Sequence, residues 1–210
     1  MTKSAAKPAA ESDAKPEARG GESRRQAVLD IAAELFAAKG YAGTSIRSIT
    51  TSVGMLPGSI YYHFKSKEEL LLAVYHEGMA RFEAAIEPAL AEEGSEPWQA
   101  LEAACAAHLS ILLNGGDYAR IVGPEFMRSF PPAILATLNA ERDRYELHFE
   151  KLIAALPLPP ETDRWLFQVA LFGSLNWSQT WYRKGRYTPK DIARAFIAIL
   201  RGRDERPNDR

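Results

Sequence analysis

Ile46-Arg47-Ser48-Ile49-Thr50-Thr51-Ser52-Val53-Gly54-Met55-Leu56-Pro57-Gly58-Ser59-Ile60-Tyr61-Tyr62-His63-Phe64 reads as two short helices joined by a tight turn. Ile46, Ile49 and Val53 recur at helical spacing, so the first of the two, starting near Thr44 or Ser45, is apolar on one side. Val53-Gly54-Met55 is the turn. Pro57 suits the first position of the following helix, where the amide it lacks has no helical partner anyway. That helix runs to about Phe64, with Ile60 and Phe64 facing inward beside Ile49 and Val53. The pattern, over residues 45–64, is a helix-turn-helix, whose second element lies in the major groove of DNA.

The polar residues of the segment suit that placement. Ser59, Tyr61, Tyr62 and His63 offer hydroxyl and imidazole groups to phosphates or base edges. Gly58 and Ser59 are small enough to let the helix start approach the bases closely, and Pro57 beside them is a further candidate DNA contact. Tyr61 fits a packing role as well as a phosphate contact. Arg47 lies on the exposed side of its helix. Lys67 lies in the first turn of the next helix, where free amides and the helix dipole favour a phosphate. Thr44 and Ser45 complete the candidate DNA contacts.

Outward from this segment the chain stays helical. Ser23-x-x-Gln26 predicts a cap for a first helix carrying Val28, Ile31, Ala32, Leu35 and Phe36, with Gly40 as its stop. Ser66-x-x-Glu69 predicts another cap, opening a long helix through Leu70, Leu71, Val74, Met79 and Phe82. Pro97 to Leu113, Tyr118 to Ser129 with a break at Gly123-Pro124, and Pro131 to about Leu156 are three further helical segments. Thr162 or Asp163 caps a helix running to about Lys184, and Thr188-Pro189-Lys190-Asp191 opens the last one. No period-2 alternation is sustained, so the expected fold is all-α with about nine helices. Residues 1–22 carry no large apolar side chain after Met1 and are expected to form a disordered tail, with Lys3, Lys7, Lys15 and Arg19 adding at most weak contacts to nucleic acid.

Of 210 residues, 46% are hydrophobic and 25% charged, the profile of an ordinary globular protein. The net charge of -1 conceals an asymmetry. Residues 24–67 carry +4 and residues 68–210 carry -5, a basic head on an acidic body. The single cysteine, Cys105, excludes an internal disulfide framework and a cysteine-rich zinc site. His76, His108 and His148 fall on three different helices without partners at ligand spacing, so neither metal nor cofactor is expected. No nucleophile–base pattern or phosphate-binding glycine loop points to catalysis. No apolar stretch nears the roughly 20 residues of a membrane span, and no secretory leader is evident. A cytoplasmic protein without membrane contact is expected.

The run Ile46-Arg47-Ser48-Ile49 through Glu68-Glu69-Leu70 resembles the DNA-binding domain of the TetR/AcrR family of bacterial transcriptional regulators. Upstream, Ala32, Glu34-Leu35-Phe36-Ala37, Lys39-Gly40-Tyr41 and Thr44-Ser45 fit that family's first helix and turn. The likeness covers about residues 23–75. It departs at Thr50, where the family usually has alanine, and at Leu56-Pro57, where it usually has a serine or threonine cap. A missing cap costs about 1 kcal/mol of local helix stability.

The resemblance implies a DNA-binding domain over 23–82 and an effector-binding, dimerising domain over 83–210. It implies a homodimer reading a palindromic operator, most often as a repressor, with a helical nucleoid or adaptor protein lacking effector control as the alternative. Trp165, Phe172, Trp177, Ile192, Phe196 and Ile199 are the expected dimer contacts, set against the reading that they only fill the subunit's own core. Residues 172–182 resemble the C-terminal helices of family members that control fatty-acid, steroid or aromatic-acid degradation, several of which respond to acyl-CoA thioesters. An acyl-CoA or similar apolar acid would need an apolar slot, for which Phe126, Leu138, Tyr145, Phe149 and Trp177 are candidates. Its phosphates would need cations, for which Arg120, Arg128, Arg142 and Arg144 are candidates; solvated arginines around a plain core are the simpler reading.

Overall fold

A computed structural model describes residues 16–91 and 96–202. Every regular element among them is helical. The order is α1 (Pro16–Gly43), α2 (Ile46–Val53), a 3-10 segment (Pro57–Tyr62), α3 (Lys67–Ala91), α4 (Pro97–Asn114), α5 (Gly116–Val122), α6 (Pro124–Met127), α7 (Pro132–Ala154), α8 (Arg164–Trp181) and α9 (Pro189–Leu200). No described helix is long and apolar enough to cross a membrane.

Helix α1 starts earlier than its sequence cap suggests. The chain is helical from Pro16, the first described residue, so Ser23 lies inside the helix rather than capping it. The tail expected over 1–22 therefore overlaps α1 from Pro16 onward, and residues 1–15 lie outside the described part. Val28, Leu29, Ala32, Ala33 and Phe36 bury one face of α1. Its helical geometry ends at Gly40 (φ 73°).

Ser45 caps α2 reciprocally: the Ser48 amide donates to Ser45 Oγ (3.0 Å) and the Ser45 amide donates to Ser48 Oγ (3.1 Å). Gly54 closes α2 with φ 74°, a left-handed conformation that a side chain would strain. Its amide and that of Met55 return to Thr50 and Thr51 carbonyls. The third element is a 3-10 segment rather than an α-helix. Leu56 offers no side-chain cap, and six residues bounded by Pro57-Gly58 are too few to recover the loss.

Helix α3 runs through the 82/83 position expected to divide two domains, so head and body share it. Its cap is only partly the expected one. The Glu69 amide donates to Ser66 Oγ (3.1 Å), but the Glu69 carboxylate accepts from the Lys65 amide (2.7 Å) instead of Ser66. In the body, α4 packs between α3 and α9, and α5 packs against both α1 and α3. Asp163 caps α8, which stops at Trp181, three residues short of the expected end. The Thr188–Asp191 box opens α9 as expected.

Candidate functional site

The helix-turn-helix divides cleanly into an inner and an outer face. Ile49, Ile60 and Phe64 are buried against α1 and α3. Arg47, Pro57, Gly58, Ser59, Tyr61 and Tyr62 are exposed, as is Ser45 apart from its capping role. Tyr62 is 89% exposed and Tyr61 55%, so neither phenol is part of the core. His63 is only half-buried and sets its ring edge-on to that of Tyr62 (5.3 Å, 88°). Among the described residues nothing covers these two tyrosines, which stand beside an exposed serine and glycine.

Two expected contacts need correction. Thr44 is buried, and its hydroxyl bonds the Leu35 (3.0 Å) and Gly40 (2.9 Å) carbonyls. It fixes the α1–α2 corner instead of facing outward. Lys67 is turned inward too. Its ammonium donates to the Tyr41 (2.8 Å) and Thr44 (2.9 Å) carbonyls and lies over the Tyr41 ring (4.0 Å). Tyr41 in turn donates its hydroxyl to Glu68, a bond that holds the Glu68 carboxyl below its usual range. The carbonyls at the end of α1 and the corner after it carry partial negative charge that holds the ammonium there.

The body contains a cavity of about 120 Å³. Its apolar wall includes Met79, Phe82, Val122, Met127 and Phe172, and its polar groups are His108, Asn176, Tyr145, Arg142 and Glu146. His108 is 5% exposed, and its Nδ1 sits 2.9 Å from the Tyr145 hydroxyl. Burial pushes its pKa down to about 4, opposed in part by Asn176. The ring is therefore neutral at neutral pH. Burial also raises the Glu146 carboxyl, with Arg142 opposing it; Arg142 Nε lies 3.4 Å from Glu146 Oε1.

An open groove adjoins this cavity and shares Leu112 and Asn176 with it. Arg120, Arg128 and Trp177 line the groove. Of the residues expected to form a ligand pocket, only Tyr145 and Arg142 line the cavity. Phe149 and Leu138 are fully buried core residues, and Phe126 packs on Phe130 (5.4 Å). Arg144 is exposed on α7 and lines neither space. Arg144 is turned about 100° around α7 from Tyr145 and about 200° from Arg142, so those two share the cavity side and Arg144 points away from it. His108 and Asn176 were not anticipated. The signal for His108 was a lone imidazole on the apolar face of α4.

Helix α5 joins cavity to head. Val122, at its end, and Gly123 line the cavity. From the same short helix, the Tyr118 hydroxyl donates to Asp30 Oδ1 (2.8 Å) and accepts from Gln26 (3.3 Å). Arg120 donates to the Ala37 carbonyl (3.1 Å). All three partners belong to α1. Close packing fixes the other side: a Cβ at Gly78 would come within 2.7 Å of Val122 Cγ2.

The outer face of α8 is unusually apolar. Trp165 (70%), Leu166, Val169 and Trp177 (63%) are exposed along it, with Ile199 (71%) on α9. Phe172 and Ile192, expected at a dimer contact, are instead buried in the subunit's own core. Phe196 is half-buried beside Trp181 (6.5 Å). Residues of one amphipathic helix split between core and surface according to their angle, and Phe172 falls on the inner side.

Two family models match the chain: one described as bacterial regulatory proteins, tetR family, over residues 28–74, and a tetracyclin repressor-like C-terminal domain over residues 94–203. The repressor KstR2 of Mycolicibacterium smegmatis is 49% identical over 49 residues, 23% of this chain and 24% of that protein. The chain thus spans about a quarter of the length of those repressors. The regulator TcmR of Streptomyces glaucescens is 29% identical over 184 residues, 84% of this chain and 80% of that protein. The crystal structure of AibR with isovaleryl coenzyme A and operator DNA superposes with a TM-score of 0.72 at 25% identity, covering 84% of this chain and 97% of that one. With models matching both its head and its body, the chain belongs to the TetR family of bacterial transcriptional regulators.

Proposed function

We propose that the protein is a homodimeric repressor that binds a palindromic operator and is released by a small acyl effector, an acyl-CoA. In this reading Arg47, Pro57, Gly58, Ser59, Tyr61, Tyr62 and His63 meet the DNA, and Ser45 adds a contact at the start of α2. Two such heads about 34 Å apart read successive major grooves on one side of the duplex. The exposed stripe of α8 with Ile199 forms the two-fold contact, because so large an apolar face is costly in water.

The observation that carries the reading is the double role of α5. It walls the cavity with Val122 and holds α1 through Tyr118 and Arg120. A ligand that displaces Val122 or Gly123 therefore acts on the helix that positions the head. Control requires only that the ligand prefer one spacing of the heads over the other. An acyl chain suits the cavity, and the phosphates of coenzyme A suit the neighbouring groove with Arg120 and Arg128. The AibR complex supports the pairing of an acyl-CoA site with an operator-binding head; because it holds both ligands at once, the release step rests on the α5 contacts alone.

The test is a protection experiment on the DNA flanking the protein's own gene, repeated with a panel of acyl-CoA thioesters. Protection of a short palindrome, lost on adding one thioester, is the expected result. Protection without any thioester response would favour a nucleoid or adaptor role. Absence of a protected palindrome would overturn the reading.

A further inference from the structure

We infer that the cavity is built to recognise the carbonyl oxygen of an uncharged acyl group, read by His108 as a hydrogen-bond donor, and that it disfavours the free acid. The inference rests on the proposed effector site and specifies its ligand chemistry. His108 Nε2 is buried and makes no hydrogen bond among the described residues, whereas Nδ1 faces the Tyr145 hydroxyl. A buried polar atom left unpaired is costly, so a site that tolerates one has a use for it.

The proton on the imidazole follows from counting partners. If Tyr145 donates to Nδ1, the ring carries its proton on Nε2 and a single donor is left over. If Nδ1 donates instead, both the Tyr145 proton and the Nε2 lone pair lack partners. The first arrangement leaves one group unsatisfied and the second leaves two. Nε2–H is therefore the free group, and it seeks an acceptor. The same cavity places Asn176 on its polar side, with an amide able to supplement that contact.

Charge decides between acceptors. Arg142 Nε is a second buried donor of this cavity without a hydrogen-bond partner among the described residues, but its charge is already matched by Glu146 (3.4 Å) and Asp143 (3.2 Å), and His108 is neutral at neutral pH. No net positive charge is left for a carboxylate, which would also approach Glu146. A thioester, ester or ketone oxygen has the acceptor without the charge, and Met79, Phe82, Val122, Met127 and Phe172 take its apolar remainder.

The experiment uses the full-length protein and three probes with one branched body: isovaleryl-N-acetylcysteamine, its thioether analogue in which methylene replaces the carbonyl, and isovalerate. Binding is read by calorimetry, the His108 ring by ¹⁵N NMR, and operator affinity separately. The thioester should bind at least tenfold tighter than either analogue and shift the Nε2 resonance, which should carry a proton in the free protein. The double variant H108F/Y145F, which leaves no orphaned phenol, should bind thioester and thioether equally while melting cooperatively. Equal binding of thioester and thioether to the unmodified protein, preference for the acid, or no binding of the thioester would each overturn the inference. So would a free-state proton on Nδ1, a result that does not depend on any variant folding. A thioester preferred as expected but without effect on operator affinity would uphold the carbonyl assignment and overturn the regulatory reading beneath it.

Discussion

Lys67 illustrates how much a single side chain's surroundings decide. Its place in the first turn of α3 suits a phosphate, yet two carbonyls of the α1–α2 corner hold its ammonium. Lys67→Ala should lower stability by about 1–2 kcal/mol, allowing for partial exposure. It should leave unchanged the slope of operator affinity against salt, because no phosphate loses a cation. Tyr62→Ala, by contrast, should weaken binding to all sequences with little change in melting temperature. Thermal melts and salt-titrated binding separate the two cases.

His108 sets a second expectation at this scale. Its folded pKa of about 4 lies below the ordinary value of 6.5. The unfolded chain thus binds the proton more readily, and stability falls as pH drops from about 6.5 toward 4. The full contribution is present above pH 6.5 and amounts to roughly 3 kcal/mol. Denaturant unfolding between pH 4.5 and 8, compared with H108F/Y145F, should show a steeper acid-side decline in the unmodified protein. Parallel curves would exclude a buried neutral imidazole.

At the scale of elements, α5 is the part on which control turns. Tyr118→Phe removes its bonds to Asp30 and Gln26 without touching the cavity wall. It should cost about 1–2 kcal/mol of stability and leave acyl-CoA affinity within twofold. The ratio of operator affinities with and without acyl-CoA should fall several-fold, since coupling is a free energy shared between sites. Gly78→Ala acts on the opposite face. Its methyl would collide with Val122 and force α3 and α5 apart, at a cost of about 1–2 kcal/mol after the gain in helix propensity. Calorimetric melting and operator titration measure both.

For the whole molecule, the exposed face of α8 is the feature that a solitary subunit does not account for. Trp165→Glu with Val169→Glu places charge in its middle while touching no core residue. Sedimentation should then report monomers with an unchanged circular dichroism spectrum. Operator affinity should fall by about a hundredfold or more, because the second head no longer binds as part of the same molecule.

The all-helical fold, the turn at Gly54 and the inner face of Ile49, Ile60 and Phe64 were legible in the sequence. Each follows from local rules: side-chain period, capping and the steric freedom of glycine. The position of Lys67, the split of Phe172 from Trp177 and the exclusion of Arg144 from the cavity were not. They depend on which neighbour a side chain meets across tens or hundreds of residues, and a few degrees of helix rotation reverse the answer. The unpaired Nε2 of His108 is the clearest case. Only packing α4 against α3, α7 and α8 could enclose an imidazole, give one nitrogen to Tyr145 and leave the other facing an empty space.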